Sequence, residues 1–254
     1  MKKIFTLLAL TITFSMNAQL TTVTENGNTG QRLSTSNASN HGDIGSNAVD
    51  LSYSSSLSST RGAIGYYSTA MGNNTTASGY NSTAMGLYTT AMGYSSTAMG
   101  SSTTASGDNS TAMGLYTTAM GYSSTAMGSS TTASDFASTV IGQYNSSGSS
   151  ATSANSFSTS APAFVIGNGA NSSNKSDAFK VLFNGDATVS NDLTVSGDVV
   201  ISSDARLKSN IVSLGSTLPK LLQIDGKSYE MKGKQKIGVL AQEIQEVFPE
   251  LVTE

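Results

Sequence analysis

The chain has no cysteine and no tryptophan, and it has one histidine and 11% charged residues. Without cysteine it forms no disulfide, thiolate metal site or lipid-modified thiol. The formal net charge of −3 excludes the basic composition of a nucleic-acid-binding domain. The 254 residues are rich in Ser, Thr, Ala and Gly, so large apolar side chains are too few for an ordinary globular core. We therefore expect no cofactor, no metal and no nucleic-acid partner.

The first 18 residues have the pattern of a secretory signal peptide. Lys2 and Lys3 precede an apolar run at residues 4–14, and MNA before Gln19 supplies a small residue at the cleavage site. The run is shorter than the about 20 apolar residues that a membrane-spanning helix needs. Residues 1–18 therefore predict an exported protein with no integral membrane segment in the mature chain, either extracellular or held at the cell surface.

Glycine recurs at every seventh position through the middle of the chain, and Asp135 occupies the one missing place in the series. The positions are Gly65, Gly72, Gly79, Gly86, Gly93, Gly100, Gly107, Gly114, Gly121, Gly128 and Gly142. A longer period is superimposed, because residues 79–106 and 107–134 are identical except that Tyr80 becomes Asp108. The middle of the chain is therefore an internal repeat.

A seven-residue repeat is typical of a coiled coil, but this one lacks apolar a and d positions and is rich in glycine. Read with period two, STAM at residues 82–85 places Thr83 and Met85 on one face and the small Ser and Ala on the other. This pattern predicts a short strand followed by a glycine turn, as in stacked solenoids. Two heptads form one coil, giving about six coils over residues 62–142 and a height of about 30 Å.

Such a coil is marginal as a single chain, because ordering its backbone costs more free energy than burying two methionines recovers. The face formed by Ser82 and Ala84 is small enough for neighbouring rolls to approach closely. We therefore expect the roll to associate into an oligomer.

NSTAMG at residues 81–86 and again at 109–114, together with TTASG at 103–107, resembles the haemagglutinin-type repeats of YadA-like trimeric adhesin heads. The resemblance implies a mainly β protein with a left-handed parallel β-roll that packs as a trimer. It also implies that the bulkier alternate residues point into the roll. The side chains placed in the core on this basis are Thr83, Met85, Thr90 and Met92.

Other repeat solenoids bind calcium or ice. Calcium-binding rolls need Asp at fixed positions, whereas Asp108 and Asp135 are the only charged residues between positions 62 and 142. A Thr-rich ice-binding solenoid is a weaker alternative, because many threonines share the predicted inner face with methionine.

Several tyrosines follow shortly after the glycines of the repeat. They form either a sugar- or protein-binding rim or contacts between subunits. They are Tyr80, Tyr88, Tyr94, Tyr116 and Tyr122.

Less regular segments flank the repeats of residues 62–142. The polar residues 19–61 are predicted to cap the head, because a terminal coil must shield an open edge. Residues 143–202 combine a Ser-rich linker, one last roll-like unit at 163–169 and alternating segments separated by NGD and SGD turns. We interpret the later part of this segment as a short β stalk.

Charged residues become frequent after Ser203. GVLAQEIQEVF at residues 238–248 has apolar side chains at helical spacing and ends at Pro249. With SDARLKSNI and LLQIDGKSYEMK, it resembles the intramolecular chaperone auto-processing domain of phage tail spikes, endosialidases and bacterial surface fibres. The resemblance covers residues 203–254 and implies a small α+β domain that guides three chains into a trimer. The family pattern continues further, so we expect a truncated domain here.

The same resemblance implies self-cleavage by a Ser–Lys pair. In this chain Ser203 is the nucleophile, Lys208 is its base and the scissile bond joins Ser202 to Ser203. A serine hydroxyl needs a neighbouring base, and a desolvated lysine can serve as one. The alternative is that Ser203 or Asp204 caps a short helix while Lys208 lies in solvent.

Together these features predict an exported trimeric surface fibre or adhesin. Its only chemistry is self-cleavage as a Ser–Lys endopeptidase without an external substrate. Its partners are further copies of the chain and a glycan or protein ligand on a host or other surface. The alternative is a phage-derived tail fibre or receptor-binding protein, which the predicted signal peptide disfavours.

Overall fold

The computed structural model of the chain describes residues 20–196, 206, 209–213, 215–231, 233–249 and 252. The chain divides into two units, residues 1–194 and residues 195–254. The predicted signal peptide at residues 1–18 lies outside the described residues.

The first unit is a parallel β-solenoid of about eight turns. Its strands are β1 (Leu20–Glu25), β2 (Asn28–Leu33), β3 (Val49–Tyr53), β4 (Gly62–Ala63), β5 (Thr69–Asn73), β6 (Thr76–Ala77), β7 (Thr83–Leu87), β8 (Thr90–Ala91), β9 (Thr97–Ser101), β10 (Thr104–Ala105), β11 (Thr111–Leu115), β12 (Thr118–Ala119), β13 (Thr125–Ser129), β14 (Thr132–Ala133), β15 (Thr139–Gln143), β16 (Pro162–Asn168), β17 (Asp177–Leu182) and β18 (Ala187–Val189). A 3-10 turn at Ala38–Asn40 lies between β2 and β3.

Two sheets form the sides of the solenoid. The larger has 12 strands in the order β1-β2-β3-β5-β7-β9-β11-β13-β15-β16-β17-β18, and the smaller has six in the order β14-β12-β10-β8-β6-β4. From β3 to β14 each coil contributes one strand to each sheet, and Thr83 pairs in parallel with Thr97, 14 residues later. Two heptads therefore make one coil, as predicted. The turns exceed the expected six because β2, β3 and β16, outside residues 62–142, also pair in parallel.

Small side chains line the interior of the solenoid. In the coil that begins at Thr83, the fully buried side chains are Ala84, Thr89, Ala91 and Ser96. The corresponding alanines of successive coils form one continuous cluster along the axis. Among the described residues, the larger apolar side chains of this cluster lie towards its ends: Ile44, Val140 and Val165 are buried, and the half-buried Val23 packs against the cluster. A coil of this length therefore leaves room for little more than alanine, serine and threonine.

The alternation of period two is present, but its inner and outer faces are the reverse of the predicted ones. Met85 and Met92 are 38% and 48% exposed, and Thr83 and Thr90 are half-buried on the same outer side. Placing Thr83, Met85, Thr90 and Met92 in the core is therefore wrong. The reason is the narrow cross-section, because sheets that meet through alanines cannot enclose a methionine without being forced apart.

Glycine at every seventh position is required by the contact between successive coils. A Cβ at Gly93 would lie 2.0 Å from the carbonyl oxygen of Gly107 in the next coil. A Cβ at Gly86 would lie 2.0 Å from the carbonyl oxygen of Gly100, and Gly86 also has φ +124°, which side chains disfavour. Both contacts are with backbone, so neither can be relieved by moving a side chain.

Asp135 breaks the glycine series where the smaller sheet ends at β14. Its Oδ1 accepts hydrogen bonds from the backbone N–H groups of Thr152 and Ser153 instead of facing another coil. Beside it, the Asn145 carboxamide accepts from the Thr132 N–H at 2.8 Å and donates to the Thr132 carbonyl at 2.9 Å. This side chain pairs with β14 as a further strand would, so it closes an otherwise open sheet edge.

The opposite end of the solenoid is closed by the antiparallel hairpin of β1 and β2 and by a buried ionic cluster. Arg32 lies within 2.6 Å of Glu25 and 3.2 Å of Asp50, and it also donates to the Gly42 carbonyl oxygen. A buried guanidinium is tolerated because these acceptors satisfy it on several sides.

The segment interpreted as a stalk contributes β17 and β18 to the larger sheet. β17 pairs antiparallel with β16, and β18 pairs antiparallel with β17. The pairing direction thus changes from parallel to antiparallel where the repeats end.

The second unit is small and of mixed α and β structure. It contains helix α1 (Leu218–Leu221), a hairpin of β19 (Lys227–Met231) and β20 (Lys234–Gly238), and helix α2 (Ala241–Val247). The helix predicted before Pro249 is therefore present as α2. Lys227 lies 2.9 Å from Asp225 and 3.1 Å from Glu243, which ties the hairpin to α2. Its hydrogen bond lowers the pKa of Asp225, and its bonds to both carboxylates raise the pKa of the ammonium.

We expect Gly93→Ala to lower the melting temperature of the purified protein by about 10 °C, since overpacking against backbone costs about 3 kcal/mol. The measurement is thermal unfolding followed by circular dichroism. Gly226→Ala is the matched control, because a Cβ at Gly226 meets nothing within 4 Å. Equal melting temperatures for the two variants would contradict the role assigned to Gly93.

Candidate functional site

The outer face of the larger sheet carries a continuous column of large apolar side chains, here called the methionine column. Its members are Leu51, Met71, Met85, Met99, Met113, Met127, Ile141 and Ile166. All are partly exposed. Eight strands at the usual spacing make the column about 34 Å long. An uninterrupted apolar surface of this kind marks an interaction site.

The expectation that Ser82 and Ala84 contact neighbouring rolls is wrong, because both are buried inside the solenoid. The methionine column occupies the outer face in their place. Threonines such as Thr83 and Thr97 lie beside it in register. The outer surface is thus a row of threonines next to a row of methionines, rather than the uniform threonine array of the ice-binding alternative.

One column of aromatic side chains follows the turns of the solenoid. It consists of Tyr66, Tyr80, Tyr94, Asp108, Tyr122 and Phe136, one from each coil. Tyr80 and Tyr94 stack with ring centroids 5.2 Å apart, and Tyr122 stacks on Phe136 at 5.5 Å. Asp108 interrupts the stacking, and its carboxylate accepts a hydrogen bond from the Tyr94 N–H at 2.8 Å. Packing along the chain therefore accounts for most of these rings.

Tyr88 and Tyr116 lie at a different turn and are 54% and 61% exposed. Their φ angles are +53° and +55°, which are unfavourable for a bulky side chain. Other coils place Asn74, Ser102 or Ser130 at the same turn, also at positive φ. Burial within the chain does not offset the strain at the two tyrosines. Compared with the stacked tyrosines, Tyr88 and Tyr116 are therefore the better candidates for a contact with a ligand or with another subunit.

The predicted catalytic residues are not among those that the structure describes. Ser202, Ser203 and Lys208 lie outside the described residues. Within the described part of the chain, no group of three or more His, Asp or Glu side chains is arranged to hold a metal ion. The helices of that part include none with the length and apolar character needed to cross a membrane.

The C-terminal unit leaves much apolar surface exposed. Among its described residues Phe248 alone is buried, with the Lys220 ammonium 5.2 Å from the centre of its ring. The large apolar side chains more than 40% exposed are Val195, Ile211, Val212, Leu218, Leu221, Leu222, Ile237, Val239 and Leu240. Exposed apolar side chains in this number indicate an interaction surface on the described part of the unit.

Two protein-family models match parts of the chain. The YadA head domain repeat (2 copies) matches residues 63–89, 91–117 and 119–145, and the chaperone of endosialidase matches residues 203–253. The chain carries YadA head repeats followed by an endosialidase-type chaperone domain. Comparisons with curated proteins and with solved structures give no significant match. Both predicted resemblances are confirmed, and their combination supports an adhesin-like or tail-fibre-like protein.

The methionine column is the candidate interaction surface that the sequence pattern did not reveal. Period two shows which residues share a face, but it does not show which face is inside. A signal was available in the glycines, because glycine at every seventh position indicates coils too tightly stacked to hold large side chains. Alanine between Thr83 and Met85 is then the better core residue.

We expect Tyr116→Asn to raise the free energy of unfolding by about 1 kcal/mol, because asparagine adopts positive φ more readily than tyrosine. Tyr94→Asn is the matched control and should lower it by about 1 kcal/mol through the loss of stacking. Chemical denaturation of both variants measures the difference. A loss of stability in Tyr116→Asn would contradict this expectation and show that the Tyr116 ring makes a stabilising contact.

Proposed function

We propose that the chain is an exported trimeric surface fibre of the adhesin type, in which the solenoid is the binding head and the C-terminal domain promotes assembly. The main observation in support of this proposal is the methionine column. The solenoid exposes its largest regularly spaced apolar side chains and buries its smallest ones.

The energetics of the coil favour association through this column. Alanine, serine and threonine in the core recover little free energy on burial, while every ordered residue costs conformational entropy. Covering Met71 to Met127 with neighbouring copies adds apolar burial in every coil without widening the core. Both matched families suggest three copies as the assembled state.

The exposed apolar surface of the C-terminal unit supports an assembly role for that domain. Leu218, Leu222 and Ile237 are among its most exposed side chains, and no described residue of the unit covers them. In a trimer these side chains have the other two copies as partners. The head and the chaperone domain then require association for the same physical reason.

Sedimentation equilibrium should give three chains per particle for the purified protein, and Met113→Glu should give monomers at micromolar concentration. The glutamate adds a charge in the middle of the methionine column, where association would have to desolvate it. Tyr122→Asp is the matched control and should remain trimeric, because Asp108 already occupies the equivalent place in the neighbouring coil. A monomeric wild type, or a trimeric Met113→Glu, would rule out this interface.

We further propose that the C-terminal domain cleaves the bond between Ser202 and Ser203, with Ser203 as nucleophile and Lys208 as base. This proposal is supported by the chaperone-of-endosialidase match, which begins at residue 203. The Ser203 hydroxyl attacks the carbonyl carbon of Ser202 while Lys208 accepts its proton. The peptide C–N bond then breaks, the Ser203 amine takes the proton back from Lys208, and the Ser202 acyl group is left as an ester on the Ser203 oxygen. Water hydrolyses this ester, which releases the Ser202 carboxylate and restores the hydroxyl.

The wild type should yield an N-terminal product that ends at Ser202 and a fragment that begins with Ser203, identified by mass spectrometry. Ser203→Ala removes the nucleophile and Lys208→Ala removes the base, so both should accumulate uncut chain and still form trimers. Ser209→Ala, a nearby serine outside the pair, serves as the control and should be cut normally. An uncut wild type, or equal cutting of all variants, would show that Ser203 and Lys208 are not a catalytic pair.

A phage-derived tail fibre is the second candidate, and the chaperone-of-endosialidase match favours it as well. Residues 1–18 separate the two candidates, because an exported fibre loses them as a signal peptide.

A further inference from the structure

The row of side chains that faces the interior from the larger sheet includes a lysine near its end. In-register pairing carries this row from Ala126 through Val140 and Val165 to Lys180 and Thr188. Ala126, Val140 and Val165 are fully buried, Lys180 is half-buried and Thr188 is exposed. The smaller sheet ends at β14, whereas the larger sheet continues through β18. The face that is covered in the repeats is therefore open at β17 and β18.

A cavity of about 330 Å³ lies at this open end. Lys175, Lys180, Asp177, Ser146 and Thr188 contribute to its lining. Residues 20–196 contain two lysines, and both of them line this cavity. Neither ammonium group has a hydrogen bond or salt bridge with another described residue. Both lysines of the described head therefore line one cavity.

The other basic side chains of the described head are already engaged. Arg32 is paired with Glu25 and Asp50, and Arg61 donates to Ser54 at 2.7 Å. Lys175 and Lys180 thus stand apart from both arginines in having no acceptor.

Asp177 lines the cavity but forms no ion pair with Lys175 or Lys180. Its two carboxylate oxygens accept hydrogen bonds from the backbone N–H groups of Ser146 and Ser147, each at 2.8 Å. The carboxylate is therefore directed at the Ser-rich loop and fixes it as one wall. The hydroxyls of Ser146 and Thr188 have no hydrogen bond with another described residue. The lining thus offers two unpaired cations and two free hydroxyl groups.

We infer that this cavity binds a sugar residue that carries a carboxylate, such as a uronic acid unit of a surface polysaccharide. The ammonium groups match the carboxylate, and the serine and threonine hydroxyls match the hydroxyls of the sugar ring. The volume equals that of about ten liquid waters, which is more than a simple inorganic anion fills. This inference names the ligand class of the proposed adhesive head, so it rests on the proposed function. The site itself is formed by residues of one chain.

Saturation-transfer difference NMR on the full chain tests the inference with three probes: sodium glucuronate, glucose and sodium sulfate. Glucuronate should give transfer signals and a millimolar dissociation constant, and glucose should give none. Sulfate should compete only at much higher concentration. Raising the salt from about 0.05 M to about 0.5 M should weaken glucuronate binding, because the lysines are solvent-accessible.

Lys175→Met and Lys180→Met should each raise the dissociation constant for glucuronate about tenfold, since each removes a charge-assisted hydrogen bond. Lys180→Arg keeps the charge and should keep most of the affinity, which separates loss of charge from misfolding. Lys234→Met is the matched control, because it removes the same charge from an exposed position in the other unit and should leave binding unchanged.

Four results would overturn the inference: equal binding of glucose and glucuronate, sulfate binding as tightly as glucuronate, no effect of Lys175→Met and Lys180→Met, or no binding of glucuronate at all. Sedimentation of the same samples keeps the two proposals distinct, because a monomer that binds glucuronate would contradict the trimer and leave the site intact.

Discussion

Successive coils pack backbone against backbone at the repeated glycines, and the rest of the head depends on this contact. At Gly93 and at Gly86 the carbonyl oxygen of the following coil occupies the place of a Cβ. Any other residue at these positions separates the coils and weakens the hydrogen bonds between their strands. Close packing therefore requires a glycine at two positions in every coil, which explains the seven-residue period. The strands and turns lie between these glycines.

The same contact determines which side chains lie inside and which lie outside. Coils this narrow enclose Ala84 and Ala91 but not Met85, so the larger apolar side chain faces outward. Repetition of that outcome in every coil produces an apolar column along one side of the molecule. An interaction surface thus arises as a by-product of the way the core is filled. It requires no residue type beyond those of the repeat itself.

The sequence predicts the repeat, the coil of two heptads, the helix before Pro249 and the two domain families, because each depends on periodicity or on an extended motif. It does not predict the direction in which Thr83 and Met85 point, since alternation is symmetric with respect to inside and outside. The cavity at Lys180 is also invisible in the sequence. It depends on the smaller sheet ending earlier than the larger one. Asp135 interrupts the glycine series at that end, but the series does not show that Asp135 and Asn145 bind backbone groups there.

The near-identity of residues 79–106 and 107–134 has a consequence for the length of the head. The closing contacts at Arg32 and at Asn145 touch only the first and last coils. Duplication or deletion of one such unit in the gene would therefore insert or remove two coils while both ends stay closed. The head can change its reach in steps of about 10 Å, with the same contacts between coils at every length.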